Sequence, residues 1–466
     1  MQAQEIRSIF CGDADFEEHL VYAGAHALTV FFLDGLTSGS DLADFVIRPL
    51  HDRVQPGSES EVYAQIKNGA VCCAAVCETK TAEQTAEKML FGYCAVVFEH
   101  LQTALCFEVK TPVKRGPDRP DSENTVKGAK DAFTETIRIN TSLVRRHIRS
   151  TDLRIEQQLL GTNAKTNVTL CYLHGVTKPE YVTKMRARLK ELSPDALVSP
   201  AAVEELITGS RRTAFGLLQF TERTDKFCQG LLSGQVGLLI DGLPEGYLAP
   251  VSIGRLMQSP EDRAVDYISA TFVRILRYLA LFASLFLPAV YAAMAMYHQQ
   301  MLPTELLRSI IESKQNVPFS TILEVLGLLT AFEILQEAGL HLPHAIGTSV
   351  SIIGGLVVGT AAVDAKLVSP AALIVAASAG ICGFALPDRD LADAVRLWRF
   401  ALTLFAGFAG LFGVSVGALL LLLHLAQLTS LDDAFLSPFS SVNAKGAIVR
   451  PLFRKGGSIC GDSDSG

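Results

Sequence analysis

Four long stretches in the second half of the chain contain no charged side chain: residues 278–297, 345–363, 367–387 and 400–423. A helix rises about 1.5 Å per residue, so each stretch is about long enough to cross a hydrocarbon core of roughly 30 Å. The pattern predicts an integral membrane protein with an α-helical transmembrane bundle over residues 259–431.

The first half mixes charged and apolar side chains in the proportions of a soluble domain. Short apolar runs followed by turn residues predict four strands, at residues 27–33, 92–98, 104–109 and 167–173. Amphipathic stretches predict three helices, at residues 129–147, 179–192 and 201–207. This alternation predicts an α+β (α/β) region. The strands ending in LDGL and LHGV match each other weakly, as the copies of a duplicated unit would.

Residues 110–127 interrupt this pattern with three prolines and many charges, which is typical of a linker. We therefore expect two α/β subdomains, residues 1–115 and 151–258, separated by a linker and helix at residues 116–150. Two further segments complete the division: a re-entrant or amphipathic segment at 304–340 within the membrane region, and a polar C-terminal tail at 432–466.

The acidic N-terminus lacks the basic and apolar regions of a signal peptide, and Arg274 and Arg277 precede the first apolar run. Both features place the N-terminal region in the cytoplasm. The predicted loop at residues 388–399 carries three Arg, and the tail carries Arg and Lys, which predicts a cytoplasmic position for both. If residues 321–336 also cross the membrane, the chain has five spans. The tail then lies outside the cell unless the chain turns back near residues 425–431. The count of four to five membrane helices therefore leaves the side of the C-terminus open.

Composition excludes several other classes of protein. The net charge of −7 and the pI near 5.8 are unlike those of nucleic-acid-binding proteins. Ten cysteines are scattered along the chain, and the cluster Cys72, Cys73 and Cys77 lacks the spacing and the histidines of a zinc site. We expect reduced cysteines, no metal and no cofactor.

The run at 345–363 is rich in small residues, and Gly355 and Gly359 have the GxxxG spacing that lets helices approach closely. Two interpretations of this run remain. It packs tightly inside one subunit, or it forms a subunit interface or a pore wall. The candidates for a pore or ion path are Ser349, Ser351, Gly355, Val357, Val358, Gly359 and Asp364. Gly413 and Gly417 repeat the small-residue spacing and are assigned to helix packing.

Glu324 and Glu333 lie in an otherwise apolar stretch and complete the set of ion-path candidates. A charge in hydrocarbon costs several kcal/mol and normally faces a cavity or a partner. The alternative is an interfacial helix with its acids in water. The sequence GVSVG at 413–417 matches a serine-hydrolase pattern, but that pattern needs a strand-to-helix elbow with a histidine and an acid, and this one lies inside an uncharged run of 24 residues, so we do not expect an enzyme.

The chain resembles the GerA family of spore germination proteins, the A subunits of nutrient germinant receptors, over about residues 120–440. The matching segments are SENTVKGAKDAFTETIRINTSLVRRHIR from 122, TERTDKFCQGLLSGQVGLLIDGLPEGYLAPVSI from 221, ATFVRILRYLALFASLFLPAVYAAMAMYHQQMLPTELL from 270, EILQEAGLHLP from 333, IGTSVSIIGGLVVGTAAVDAKLVSP from 346 and LADAVRLWRF from 391. Ala129, Ala132 and the segment LTSLDDAFLSP at 428–438 depart from the family pattern.

The resemblance implies a multi-pass subunit of the spore inner membrane that assembles as a homo-oligomeric ring and passes ions when a nutrient is sensed. Its implied partners are a transporter-like B subunit, a C-subunit lipoprotein and membrane lipid, with no nucleic acid. A SpoVAF-like accessory protein or a non-conducting scaffold is the alternative. A secondary transporter is disfavoured, because no inverted repeat of membrane segments is visible.

Overall fold

The structure is a computed structural model, and it describes residues 3–71, 73, 75–111, 123, 128–191, 200–209, 213–315, 317–341, 357–437, 439 and 448. The side chains of residues 206, 340, 341, 357 and 358 lie outside this description. The chain divides into two compact units, the first drawn from residues 1–211 and 218–250 and the second from residues 212–217 and 251–452.

The first unit begins with a five-stranded antiparallel sheet in the order β1-β2-β4-β5-β3. Its elements are α1 (Ala3–Ile9), β1 (Phe16–Ala23), β2 (His26–Leu33), α2 (Gly39–Leu42), a π-helical turn (Ala43–Ile47), α3 (Arg48–Asp52), α4 (Glu59–Gln65), a second π-helical turn (Ile66–Ala70), β3 (Val76–Thr79), α5 (Ala82–Leu90), β4 (Tyr93–Phe98) and β5 (Thr103–Glu108). Alternate side chains of β2 and β4 face opposite sides: Val30 and Val96 pack with α2 to α4, whereas Phe31 and Val97 pack with α1 and α5. Helices therefore cover both faces of this sheet.

A second antiparallel sheet follows in the order β6-β7-β9-β10-β8. Its elements are α6 (Ile137–His147), β6 (Leu153–Leu160), β7 (Thr166–Leu173), α7 (Pro179–Glu191), α8 (Pro200–Thr208), β8 (Gln219–Thr221), α9 (Thr224–Leu232), β9 (Val236–Ile240) and β10 (Gly246–Ala249). Val144 of α6 and Phe227 of α9 share one core cluster with Ile155, Cys171 and Leu239 of the sheet.

The two sheets have the same strand order, in which a hairpin is followed by a third strand that lies at the far edge beyond the fourth and fifth. The runs ending in LDGL and LHGV are β2 and β7, the second strand of each sheet. The duplicated unit is therefore confirmed in the topology, and the four predicted strands lie within one residue of β2, β4, β5 and β7. The N-terminal region is a mixed α and β fold, as predicted.

The helix predicted at residues 129–147 begins only at Ile137, which corrects the sequence prediction. Ala132 pairs with Arg223 in an isolated bridge, and Phe133 N–H donates to the carbonyl of Glu222 at 2.8 Å. This pairing holds the chain in an extended conformation before the helix starts. The predicted helices at 179–192 and 201–207 correspond to α7 and α8.

Eight cysteines lie in the described part of the chain, and none of them forms a disulfide. Burial raises the pKa of Cys94, Cys171 and Cys228, and raises that of Cys106 to about 11. These four thiols are buried in the two sheets or in α9 and stay protonated at neutral pH, so they behave as small apolar side chains.

Arg145 of α6 joins the two sheet subdomains inside the first unit. Its guanidinium is fully buried and donates to Asp15 at 2.7 and 2.8 Å and to Asp13 at 3.0 Å, both of which precede β1. Its Nη1 also donates to the carbonyl of Leu153 at 2.8 Å, at the start of β6. Burial raises the pKa of Asp13, while Arg145 and the N–H of Ile155 favour its charged form. The whole contact is desolvated, so each charge depends on the others.

We expect Arg145→Met to destabilise the first unit by about 3–5 kcal/mol, because it leaves the carboxylate of Asp15 without its cation and that of Asp13 with only Arg154, 3.6 Å away. The measurement is amide hydrogen exchange of the full chain, read at peptides covering β1 and β6, which should lose protection together. Arg138→Met is the matched control, since its ion pair with Asp34 is largely exposed and is worth about 1 kcal/mol or less. Equal protection in both variants would show that Arg145 does not hold the subdomains together.

The second unit is helical. Its elements are α10 (Ile253–Leu256), a 3-10 turn (Pro260–Arg263), α11 (Tyr267–Met296), a 3-10 turn (Gln299–Met301), α12 (Thr304–Lys314), α13 (Thr321–His341), a π-helical turn (Val357–Ala361), α14 (Ala362–Asp364), α15 (Pro370–Phe384), α16 (Arg389–Gln427), β11 (Thr429–Ser430) and β12 (Asp433–Ala434). The segment predicted as re-entrant or amphipathic at 304–340 is thus two helices, α12 and α13. The predicted loop at 388–399 is the cap and first turns of α16, with Asp388 accepting from the N–H of Leu391.

Helix α16 does not run straight but folds back on itself at Ala409 and Gly410, whose backbone angles are non-helical. Trp398 and His424 have ring centroids only 5.8 Å apart, although 26 residues of straight helix would separate them by about 39 Å. The helix is therefore a hairpin with a first arm, residues 389–408, and a second arm, residues 411–427.

Glycines allow this close reversal. Gly410 has φ +60° and ψ −141°, a conformation that side chains disfavour, and a Cβ there would lie 2.8 Å from Cε1 of His298. A Cβ on Gly413 would clash with the carbonyl of Phe405, and one on Gly417 would lie 2.7 Å from Leu402. The stretch at 400–423, expected to cross once, is therefore two antiparallel segments, and the chain turns back at 409–410 rather than near 425–431.

We expect Gly410→Ala to destabilise the hairpin by about 1–3 kcal/mol or more, because alanine disfavours these backbone angles and its Cβ would clash with the His298 ring. Fluorescence of Trp398, the only tryptophan, reports the pairing of the arms during thermal unfolding in detergent. The control is Gly327→Ala in α13, where no atom lies within 4 Å of the added carbon and the change favours the helix by up to about 1 kcal/mol. An unchanged Gly410→Ala transition would argue against the reversal.

Candidate functional site

Contacts order the second unit from one end to the other. At the end that we call the tip, the Tyr297 hydroxyl donates to the carbonyl of Gly407 at 2.7 Å, and a Cβ on Gly407 would lie 2.7 Å from Ile322. At the opposite end, the base, Leu391, Leu425 and Leu428 pack with residues 251–257 and Phe435. Helix α11 and the first arm therefore run from base to tip, while α13 and the second arm run from tip to base.

The basic flank of α11 lies at the base and is bound by one carboxylate. Arg274 Nε donates to Asp262 at 2.8 Å, and Arg277 Nη1 donates to the same carboxylate at 2.8 and 3.0 Å. Arg277 Nη1 also reaches the carbonyl of Met257 at 3.4 Å. Asp262 and Arg274 are both buried, so the two arginines fix the start of α11 to the preceding turn.

Glu324 lies one turn into α13, near the tip, with a fully buried side chain. Its Oε2 accepts from the Ser369 hydroxyl at 2.7 Å and from the Ser369 N–H at 3.2 Å, and its Oε1 lies 3.4 Å from Lys314 Nζ. The lysine also donates to the hydroxyl of Thr321. This polar cluster therefore joins α12, α13 and the start of α15.

Glu333 lies about two and a half turns further along α13 and pairs with the first arm. Its carboxylate accepts from Arg399 Nη2 at 2.5 Å and from Arg396 Nη1 at 3.0 Å. Arg399 is buried and also donates to the carbonyl of Ala379 in α15 at 3.3 Å. One arginine thus links three helices.

These contacts bear on the two alternatives for Glu324 and Glu333, which are a cavity or partner inside the protein and an interfacial helix with its acids in water. Glu324 is buried against Ser369, and Glu333 is bound by two arginines that the sequence assigned to a loop. Of the two alternatives, the one in which each carboxylate faces a partner is the one that the structure contains. The alternative, an interfacial helix with its acids in water, does not hold, because both carboxylates contact neighbouring helices.

The other sequence candidates are placed unevenly. Ser349, Ser351 and Gly355 lie outside the described residues, and only the backbone of Val357 and Val358 is described, in a π-helical turn. Gly359 is half-buried, and a Cβ on it would lie 3.7 Å from the side chain of Leu373, which is ordinary contact distance, while Asp364 is exposed. Gly413 and Gly417 lie between the hairpin arms. The structure therefore does not bring the small-residue run and the acids into one site.

Sequence reasoning missed Lys314, Ser369 and Tyr291 as members of the cluster around Glu324. The Tyr291 hydroxyl is buried beside Ser369. A signal for Ser369 is present, because a serine before Pro370 is a typical start of a helix, and its hydroxyl indeed accepts from the N–H of Ala372 at 3.3 Å. Lys314 and Tyr291 carry no such signal, since their partners are distant in sequence.

Two described helices are long and apolar enough to cross a membrane, α11 and α16, and α15 is apolar but shorter. The count takes α16 as one helix of 39 residues, although it is folded into two arms. Among the described residues, no three His, Cys, Asp or Glu side chains are grouped so as to hold a metal ion.

Comparison with known proteins gives a match to the family model of the Bacillus/Clostridium GerA spore germination protein over residues 4–456. The chain belongs to the GerA family. The match includes the N-terminal residues, for which the sequence alone showed no resemblance, and it covers both units.

Relatives of the GerA chain extend over most of its length. Uncharacterized membrane protein YfkQ of Bacillus subtilis is 33% identical over 428 residues, which cover 90% of this chain and 82% of YfkQ. Spore germination protein KA of the same organism is 33% identical over 428 residues, covering 91% of this chain and 78% of the relative. A solved structure, the N-terminal domain of the A subunit of the Bacillus megaterium spore germinant receptor GerK3, matches at 24% identity and a TM-score of 0.41, over 53% of this chain and 91% of that one.

Proposed function

We propose that this GerA protein is the A subunit of a nutrient germinant receptor and forms an oligomeric, nutrient-gated ion channel that releases ions at spore germination. Relatives that are named spore germination proteins support a role in spore germination. The observation that carries the channel is a helical unit that buries Glu324 and Arg399 among apolar helices, with the partly buried Glu333 paired to Arg399. Charged groups at such depth are typical of ion pathways, and no catalytic role is assigned to them.

Six crossings fit the helical unit. Helix α13 runs to the base, whereas α15 starts near the tip, where Ser369 binds Glu324. The run at 345–363 has 19 residues, enough to cover about 28 Å as a helix, and would return the chain to the tip. With α11, α13, α15 and the two arms it makes an even number. An even number puts the base, the start of α11, the start of the first arm and the tail on the cytoplasmic side.

The pore belongs in this proposal to the small-residue run. Glycines and serines let helices of neighbouring subunits approach around a symmetry axis, and Val357 or Val358 would narrow the lumen. The ring would stand in the spore inner membrane, with a transporter-like B subunit that binds the nutrient and a C-subunit lipoprotein as partners. Glu324 and Glu333 would act beside this pore through the packing of α13.

A second candidate is a SpoVAF-like accessory subunit or a non-conducting scaffold. The observation that favours it is the equal identity, 33%, to protein KA and to YfkQ, whose name assigns no receptor. Such a protein would assemble normally and carry no current.

The topology predicts that the chain after Ala434 is cytoplasmic and that the loop at Gln300, next to the tip, is outside. Green fluorescent protein fused after Ala434 should fluoresce, and alkaline phosphatase inserted after Gln300 should be active. The reciprocal fusions are the controls. Phosphatase activity at both positions would mean an even number of crossings between Gln300 and Ala434, which contradicts the six-crossing arrangement.

The channel hypothesis predicts nutrient-dependent potassium efflux from liposomes that contain the chain with its B and C partners. We expect Val358→Ala to raise the nutrient-independent leak several-fold, because a smaller side chain widens a hydrophobic constriction. Leu279→Ala, which shortens an exposed side chain of α11, is the control and should leave the leak unchanged. Verified oligomers that pass no ions with any nutrient would favour the scaffold.

A further inference from the structure

The polar cluster around Glu324 contains more oxygen atoms than its hydrogen bonds use. Four side chains supply them: the carboxylate of Glu324 and the hydroxyls of Ser369, Thr321 and Tyr291. Glu324 is 2% exposed and Tyr291 is 8% exposed. Neither Glu324 Oε1 nor the Tyr291 hydroxyl makes a hydrogen bond of normal geometry among the described residues; Oε1 has the ion pair with Lys314, and the Tyr291 hydroxyl lies beside the Ser369 hydroxyl. Buried polar atoms normally have one, so these two point to a ligand.

The ammonium group of Lys314 lies beside the carboxylate of Glu324 in the structure. Its Nζ is 3.4 Å from Glu324 Oε1, beyond good hydrogen-bond distance, and it donates to Thr321. Unlike the carboxylate, the lysine side chain is 22% exposed, and it lies at the end of α12, a helix with one buried residue. A long flexible side chain at such an edge can move into water while the carboxylate cannot.

The charge of the cluster selects the class of ion. One carboxylate with neutral hydroxyls balances a single positive charge. Calcium takes six to eight oxygen ligands, several of them carboxylates, and magnesium keeps most of its water. No second acid lies in the cluster, and the described residues contain no group of three acidic, histidine or cysteine side chains. The oxygens therefore suit a monovalent cation.

We propose that Glu324, Ser369, Thr321 and Tyr291 form a binding site for a monovalent cation, K⁺ or Na⁺, which the Lys314 ammonium fills in this structure. When Lys314 leaves, a free cation takes its place and keeps the buried carboxylate neutralised. The site is defined by binding, so it exists whether or not the chain conducts ions.

The test uses the full chain in detergent, with Trp398 fluorescence reporting thermal unfolding. Lys314→Met removes the tethered cation, and its Tm should rise with KCl or NaCl by about 3–6 °C for each tenfold increase above the dissociation constant. Choline chloride at equal ionic strength should have no such effect. The wild type should respond to neither salt, because the ammonium already occupies the site.

Two further variants sharpen the test. Lys314→Met combined with Glu324→Gln should lose the cation response, since the neutral amide needs no counter-ion. Arg308→Met removes a cation from an exposed ion pair on the same helix and should show no response to K⁺ or Na⁺ over choline.

Three results would overturn the site. One is an absent or choline-equal response of Lys314→Met, which would mean that the carboxylate takes up a proton instead. Another is an equal response in the double variant. If Lys314→Met does not fold, Lys314→Gln replaces it, and failure of both variants to fold even in concentrated KCl also contradicts the proposal. None of these results depends on ion flux, so the cation site and the proposed channel are tested independently.

Discussion

A charge removed from water must be paired, and this constraint determines the interior of both units. In the first unit, the guanidinium of Arg145 is bound by two carboxylates from the other sheet subdomain, so the subdomains cannot separate without exposing all three charges. In the second unit, Arg399 and Glu333 connect α13 to the first arm, and Arg399 reaches α15 as well. Apolar packing brings these helices together, and the ion pairs fix which faces meet.

Four of the ten described strands of the first unit were predictable, β2, β4, β5 and β7, because each is a short and nearly continuous apolar run. In β2, Leu28, Val30 and Phe32 enter one core while Phe31 and Leu33 enter the other, so nearly every position is apolar and the run is conspicuous. The start of α6 was not predictable in the same way. Its preceding residues pair with the segment at 222–223, about ninety positions later, and no local pattern encodes that contact.

The helical unit shows the same division between local and distant information. Uncharged runs located the helices, but a run of 24 uncharged residues has the same composition whether it is straight or folded back. The reversal depends on a single glycine whose space is set by His298, more than a hundred residues earlier. The acids of α13 were recognised as unusual, yet their partners, Lys314, Ser369, Arg396 and Arg399, became apparent only when the helices were packed. Of the pore candidates, the described structure gives the surroundings of Gly359 and Asp364 alone.

The hairpin of α16 also bears on how the chain is made. While the ribosome releases the chain, the first arm emerges before the second, and residues 400–408 are its longest uncharged stretch, at roughly 14 Å of helix too short to hold the arm in a bilayer by themselves. They gain a partner only when the second arm has followed. In a bilayer the two arms would therefore behave as one hydrophobic unit, because the reversal at Gly410 holds them side by side.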